Sequence, residues 1–442
     1  MRSRIAGFLL AAVCTASAAP AATLFEGARL IADPRRPAIE NSAFLVDGGR
    51  IVKVGKKGSL KLPVGTTRVD LTGKTVMPAL IDSHIHIGYQ NGLSYSVESY
   101  TRENLIDHLN RYAYCGVAAV LSLGTDPGDM PLQIRDEQRA GRLGGPLFLL
   151  AGRGLAAPNA GPNNPALKPS AYGVTTEEEA RSAVREQIAN QVDFIKVWVD
   201  DRNGTVQKLS PALYRAAIDE AHKHGTLVIA HVYYLDDAKD LVRAGIDGFA
   251  HLVRDKEMDD EVITLIKQHR VFVMPNLALA QNATYAEPPA WLNDDLYRAV
   301  TPAAVIARLR ASYAQRSPEA VARARAIYTN MQHSLEKLNA AGARIGFGAD
   351  SGAAPDHFHG YNDHRELQLM VEAGMTRAQA LTAATVTSAE FLRLTDRGTI
   401  TSGKSADFLV LDANPLDNIA NTEKISKVYL RGQEVSRRIA GQ

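Results

Sequence analysis

Three observations predict an α/β fold, a (β/α)8 TIM barrel with a small β-sandwich built from both chain termini. Eight short apolar runs cross the middle of the 442-residue chain, helical patterns separate them, and both ends are β-rich. The runs are Val76 to Ile81, Val117 to Leu123, Pro146 to Leu150, Phe194 to Val199, Leu227 to Ala230, Gly248 to Leu252, Val271 to Val273 and Arg344 to Gly348. Short, wholly apolar runs suit strands buried on both faces, as parallel strands are. Helical patterns over Thr175 to Asn190, Pro211 to His224 and Ser334 to Ala341 complete the alternation. An open doubly wound sheet would alternate in the same way, but no Gly-x-Gly-x-x-Gly follows the first run to support a nucleotide site.

The flanks follow a different pattern. Ala43-Phe44-Leu45-Val46, the turn Asp47-Gly48-Gly49 and Ile51-Val52-Lys53-Val54 read as a hairpin. Near the other end, Ala406 to Leu411 and Lys427 to Leu430 are strand-like, with a turn at Arg431-Gly432-Gln433. Chain termini often lie close together, so one domain built from both is reasonable. The expected division is a leader over 1–21, sandwich over 22–75, barrel over 76–395 and sandwich again over 396–442. The long stretch from Gln281 to Gln332 reads as an insert with its own helices after the seventh run, placed to overhang the active face as a lid.

Met1-Arg2-Ser3-Arg4, the apolar Ile5 to Ala12 and the small residues after it have the pattern of a secretory signal, with Ala19-Pro20-Ala21 the preferred cleavage site. A periplasmic or secreted location follows. The apolar run is short for a retained membrane anchor, and Val13 is large for a lipidation site at Cys14. Cleavage would leave Cys115 alone, so no internal disulfide is expected. It would also bring 48 basic residues against 48 acidic ones. That balance, with no basic block, excludes a nucleic-acid or charged-membrane partner. The expected partner is a small-molecule substrate, and a homo-oligomer is compatible with the sequence.

The chemistry lies at the ends of the runs. His84 and His86 point to one side of a strand, at the end where barrels carry their active sites. Alone, this pair reads equally well as metal ligands or as ordinary histidines. Lys196 stands inside an apolar run, where an unpaired cation is expensive. His231 and His251 end the fifth and sixth runs, and Asp350 ends the eighth. Six metal-compatible groups at one end of five strands point to a metal hydrolase.

The set His84-x-His86, Lys196, His231, His251 and Asp350 resembles the amidohydrolase superfamily. Val76-Met77-Pro78-Ala79-Leu80-Ile81-Asp82 and Gly403-Lys404-Ser405-Ala406-Asp407-Phe408 extend the likeness over nearly the whole mature chain. The nearest subgroup resembles imidazolonepropionase-like and Xaa-Pro dipeptidase-like members. Imidazolonepropionases proper lack the bridging lysine, so Lys196 favours the dipeptidase-like branch. The resemblance implies two divalent metal ions, one on His84, His86 and Asp350 and the other on His231 and His251. It also implies an N6-carboxylysine at Lys196 bridging them, and Asp350 as the catalytic acid–base partner of a metal-bridging hydroxide. Zinc is the default metal, although imidazole and carboxylate also suit manganese, iron and cobalt.

Substrate residues are sought in the loops beyond these strands. Tyr89, Tyr233, Arg254 and His359 are the candidates, with Tyr234, Asn163, Asn164, His357 and Tyr361 nearby. A tyrosine and a cation could bind a substrate carboxylate. Arg365 and Glu366 read as solvent-facing residues of the next helix. The leading expectation is cleavage of amide bonds in dipeptides or N-acyl amino acids. Hydrolysis of esters, lactones, carbamates or phosphotriesters by the same site is the alternative, and a non-catalytic binding protein on the same scaffold is a third.

Overall fold

The computed structural model describes residues 22–437, so the expected leader, including Cys14, lies outside the described residues. Among the described residues no helix is long and apolar enough to cross a membrane.

The centre of the molecule is built on parallel strands. We label the eight principal ones β1 (Leu80–Ile85), β2 (Val117–Ser122), β3 (Leu147–Leu150), β4 (Ile195–Val199), β5 (Val228–Val232), β6 (Gly248–Phe249), β7 (Phe272–Val273) and β8 (Arg344–Ile345). β1 to β3 form one sheet. β4 to β8 form another, extended at its β4 edge by the two-residue strands Leu155–Ala156 and Tyr172–Gly173. Backbone hydrogen bonds cross both seams: Asp193 N donates to Leu150 O (2.8 Å), and Ser83 N donates to Phe347 O (2.9 Å). Asp350 N donates in turn to His84 O at 2.8 Å. The strands are buried throughout, apart from the first residues of β3 and β8, which is why each reads as apolar rather than alternating.

The first apolar run is divided between two sheets. Thr75–Pro78 pairs antiparallel with Phe408–Leu411, and only from Leu80 does the chain enter β1. A continuous apolar run carries no periodicity that would mark such a break. The switch falls after Ala79, whose N–H still donates to Asp407 O (3.1 Å), whereas Leu80 N donates to Gly116 O (3.0 Å) in the parallel sheet.

The two chain ends form two further sheets. The four-stranded one runs Arg50–Lys56, Ser42–Asp47, Thr23–Glu26, Thr67–Asp70. The five-stranded one runs Arg29–Leu30, Thr75–Pro78, Phe408–Leu411, Ile425–Leu430, Gln433–Glu434. The expected hairpin is present, with Gly48 and Gly49 both at positive φ between its strands, the conformation that a tight two-residue turn requires. Phe25 and Phe44 from the first sheet meet Phe408 and Tyr429 from the second in one buried cluster. Phe25 stacks on Phe44 and takes Phe408 edge-on, each at 5.1 Å, arrangements that the ring quadrupoles favour.

The insert after β7 carries the helices Leu277–Asn282, Asp295–Val300, Ala303–Ser312 and Pro318–Ala340. Arg308 ties it to two neighbours, the carboxylate of Asp356 in the segment after β8 and the carbonyl of Leu93 in the hairpin Gln90–Tyr95. Glu366 is not solvent-facing. It is fully buried in the helix Tyr361–Glu372 and accepts from Leu277 N (3.0 Å) and Ala278 N (2.6 Å). It thereby caps the helix that opens the insert, and burial pushes its carboxyl up to about 8.

Candidate metal centre

The six strand-end residues are all buried, none more than 6% exposed. His84 lies in β1 and His86 one residue beyond it, Lys196 lies in β4 and His231 in β5, and His251 and Asp350 follow β6 and β8. The carboxylate of Asp350 is the hub. His84 Nε2 and His86 Nε2 each lie 3.2 Å from its Oδ1, and His251 Nε2 lies 3.7 Å from its Oδ2. The His231 ring joins through His251, 4.6 Å between centroids. Lys196 reaches the centre along a stem packed on Gly124, where an added Cβ would come within 2.6 Å of Lys196 Cγ. On the other side, a Cβ at Gly352 would lie 1.7 Å from His86 O, so the β8 loop can close on His86 only with glycine there.

The outer nitrogen of three histidines is engaged. His84 Nδ1 donates to Ala250 O (3.1 Å), with Asn276 Oδ1 at 3.3 Å. His86 Nδ1 meets Thr125 Oγ1 at 2.7 Å. His231 Nε2 donates to Asp200 Oδ2 at 3.1 Å. A carbonyl and a carboxylate only accept, so the lone pairs fall on Nε2 of His84 and Nδ1 of His231, and His86 turns its Nε2 to Asp350. Burial pushes His84 and His251 well below the ordinary imidazole range and His231 down to about 3. All three stay neutral, the form that binds a metal. Burial alone would raise Asp350, but His84, His86 and Lys196 outweigh it and hold its carboxyl below the usual range.

The donors fit a divalent cation. His84 Nε2, Asp350 Oδ1 and Lys196 Nζ are buried and have no hydrogen-bond partner among the described residues. Each such group costs about 1–3 kcal/mol if left unsatisfied. His84, His251 and Asp350 offer ligand atoms within 4.8 Å of one another, so a cation would satisfy two of the three orphans. Asp350 holds a left-handed backbone (φ +54°), local strain of the kind that clusters at functional sites.

On the substrate side the expectations divide. Arg254 N donates to Tyr233 O at 2.8 Å, and its guanidinium lies 5.6 Å from the Tyr233 ring. Arg254 Nε is buried without a partner, and burial lowers the group against the pull of Asp350 and Asp200. Both residues are partly buried. Tyr89 and His359 are engaged within the protein. Tyr89 is buried and donates its hydroxyl to Thr125 O (2.8 Å), and His359 is buried with Nε2 donating to His86 O (3.0 Å) and its ring stacked on His108. Both brace the segment around His86. His357 and Tyr361 are likewise engaged, with Ala349 O and Asp294.

Four supporting residues escaped the sequence reading: Asp82, Thr125, Asp200 and Asn276. Asp82 accepts from His84 N at 2.8 Å and from Ala349 N at 3.3 Å, tying β1 to the Asp350 loop. Asp200 follows β4 directly, the same signal that singled out Asp350. It also pairs with Arg202 at 3.0 Å. Removing the acceptor that fixes His231 should weaken metal binding about 10–100-fold. Asp200→Ala is expected to show this loss in competition with a chelator. Unchanged affinity would mean that His231 needs no such support.

The comparisons with known proteins agree with this geometry. The chain matches the amidohydrolase family over residues 75–435. It is 26% identical to ochratoxinase of Aspergillus niger over 425 residues, covering 86% of this chain and 79% of that protein. It is 23% identical to imidazolonepropionase of Streptomyces avermitilis, covering 90% and 87%. A candidate prolidase from Bifidobacterium longum is similar in structure, with TM-score 0.77, 26% identity and 95% of each chain covered. A Xaa-Pro dipeptidase with methionine in its active site shares the fold, with TM-score 0.75, 24% identity and 94% and 99% covered. With its family match spanning the fold and the strand-end cluster alike, this chain belongs to the amidohydrolase family.

Proposed function

We propose that this protein is an exported binuclear metal-dependent hydrolase that cleaves amide bonds of dipeptides or N-acyl amino acids. The observation that carries the reading is the partnerless, fully buried amine of Lys196 among neutral imidazoles and an ionised aspartate. Burial lowers that amine to about 7, so a large neutral fraction exists near neutral pH. A neutral amine can add CO2: the nitrogen–carbon bond forms, a proton leaves, and the side chain becomes an anionic carbamate with two oxygens to offer. That anion gives His231 and His251 a shared counterpart to the set made by His84, His86 and Asp350. We read the two parallel sheets as one closed (β/α)8 barrel, supported by the hydrogen bonds across both seams. We read the terminal sheets as a β-sandwich, supported by their common aromatic cluster. Export rests on the leader pattern in the sequence.

Two bound divalent ions, zinc by default, would polarise the scissile carbonyl and lower the pKa of water at the site. Asp350 accepts the proton of the attacking water and returns it to the departing amine. Arg254 binds the substrate's free carboxylate with the help of Tyr233. A panel of Xaa-Xaa dipeptides and N-acyl amino acids tests the reading with zinc-loaded protein. Turnover of several amides supports it, and turnover confined to esters, lactones, carbamates or phosphotriesters overturns it. Arg254→Ala should raise KM at least tenfold for substrates with a free carboxylate and leave KM for their carboxamides within about twofold, since a hydrogen bond to a charged group contributes about 1.5–3 kcal/mol. Equal effects on both substrate sets would remove Arg254 from carboxylate binding.

A further inference from the structure

A sizeable cavity lies away from the metal centre. A space of about 730 Å³ opens between the segment after Arg29–Leu30 and the helix Ser388–Phe391 with the chain that follows it. A second space, of about 520 Å³, adjoins it. Arg35 and Glu390 line both, and their ion pair at 3.6 Å is the partition between them. This trench is at the opposite end of the parallel strands from the metal centre. Arg393, on its wall, donates to Gly225 O, and Gly225 precedes β5, whereas His231 lies towards the strand's other end.

The trench concentrates positive charge. Seven cationic side chains line the two spaces against two carboxylates, Asp33 and Glu390, in a chain whose formal net charge is only +2. Arg35 is neutralised by Asp33 at 2.8 Å, and Arg397 by Asp396 and Asp407 at 2.9 Å each. Among the described residues, three cations of the larger space are not neutralised in this way. Arg36 reaches Asp33 only at 4.0 Å and is 81% exposed, Arg393 holds only a backbone carbonyl, and Lys404 holds only Thr395 O. Arg270 and Arg344 extend the positive lining into the smaller space. Apolar side chains share the walls with threonines and amides: Ile39, Val386 and Leu394 in the larger space, Ile345, Met375 and Ala378 in the smaller. Pockets of 300–1,000 Å³ with apolar walls and a few fixed polar groups are typical of small-molecule sites, and guanidinium groups favour carboxylates.

We propose that this trench is a second ligand site, separate from the metal centre, which binds a soluble amphipathic carboxylate with its chain along the apolar side chains and its head group between Arg36, Arg393 and Lys404. The probe is decanoate below its micellar concentration, titrated calorimetrically into the full chain, with decyltrimethylammonium as the charge-reversed control. Saturable decanoate binding with no decyltrimethylammonium binding is expected. Arg36→Glu/Arg393→Glu should weaken it at least tenfold, and the exposed single variant Arg36→Glu about threefold, a safeguard should the double variant fold poorly. His84→Ala/His86→Ala should bind decanoate as the wild type does. Absence of saturable binding, equal binding of the cationic control, affinity unchanged in Arg36→Glu, or loss of binding in the histidine variant would each overturn the proposal.

Discussion

Lys196→Met is expected to lower turnover by about 10²–10³-fold, the scale of losing one preorganised electrostatic contributor, while raising the stability of the metal-free protein. The two effects have one cause. In the metal-free protein the Lys196 amine is buried without an acceptor. A buried polar group left unsatisfied costs about 1–3 kcal/mol, more when charged, and an apolar side chain of similar size removes that cost. The pH dependence has a definite sign. Burial depresses the amine from 10.5 to about 7, so the folded state holds its proton less tightly than the unfolded state does. Its contribution is fully present above pH 10.5 and is lost as pH falls to about 7. The advantage of Lys196→Met over metal-free wild type should therefore grow from pH 10.5 down to 7 and level off below, as read by denaturant unfolding. A short carboxylic acid should restore part of the activity of the smaller variant Lys196→Ala by supplying the missing anion. A metal-free Lys196→Met less stable than wild type at every pH would mean that the lysine has a partner in solution.

Asp350→Asn should cost about 10²–10⁴-fold in kcat, the range for losing a positioned proton acceptor, with KM nearly unchanged. The fold should survive, because asparagine tolerates the left-handed backbone at this position (φ +54°). Asp350→Ala should also lose kcat, but with an added stability loss of about 1–2 kcal/mol from a residue that disfavours that region. Comparing the melting temperatures of the two variants separates charge from strain. Equal melting temperatures would remove the backbone argument, and retained turnover in Asp350→Asn would remove the proton-transfer role.

The sequence made the donor set legible because strands buried on both faces leave few positions where a histidine, lysine or aspartate is tolerable. His84, His86, His231, His251 and Asp350 stood out as polar residues ending apolar runs, and their end-to-end equivalence was visible before any distances. What sets their orientation was not legible. Asp200 and Asp82 look like ordinary turn and strand-end residues, and only the folded chain brings Asp200 to His231 and Asp82 to the Ala349 amide. Tyr89 and His359 illustrate the reverse. Their places next to ligands suggested contact with substrate, yet the fold turns them inward to Thr125 and His86 carbonyls. Glu366 was misread because helical position alone does not reveal which face is buried. Its partners, the amides of Leu277 and Ala278, lie 88 or more residues away in sequence. The divided first strand followed from the same limit, since an apolar run does not mark where one sheet ends and the next begins.

The central claim is that Lys196, once carboxylated, makes a two-metal centre from two sets of imidazoles. Metal content per chain tests it most directly, measured by elemental analysis on wild type and Lys196→Met after zinc reconstitution in bicarbonate. The prediction is two zinc ions in wild type and no more than one in the variant, with the variant folded and at least as stable when metal-free. Two zinc ions retained in Lys196→Met, or only one in fully reconstituted wild type, would contradict it.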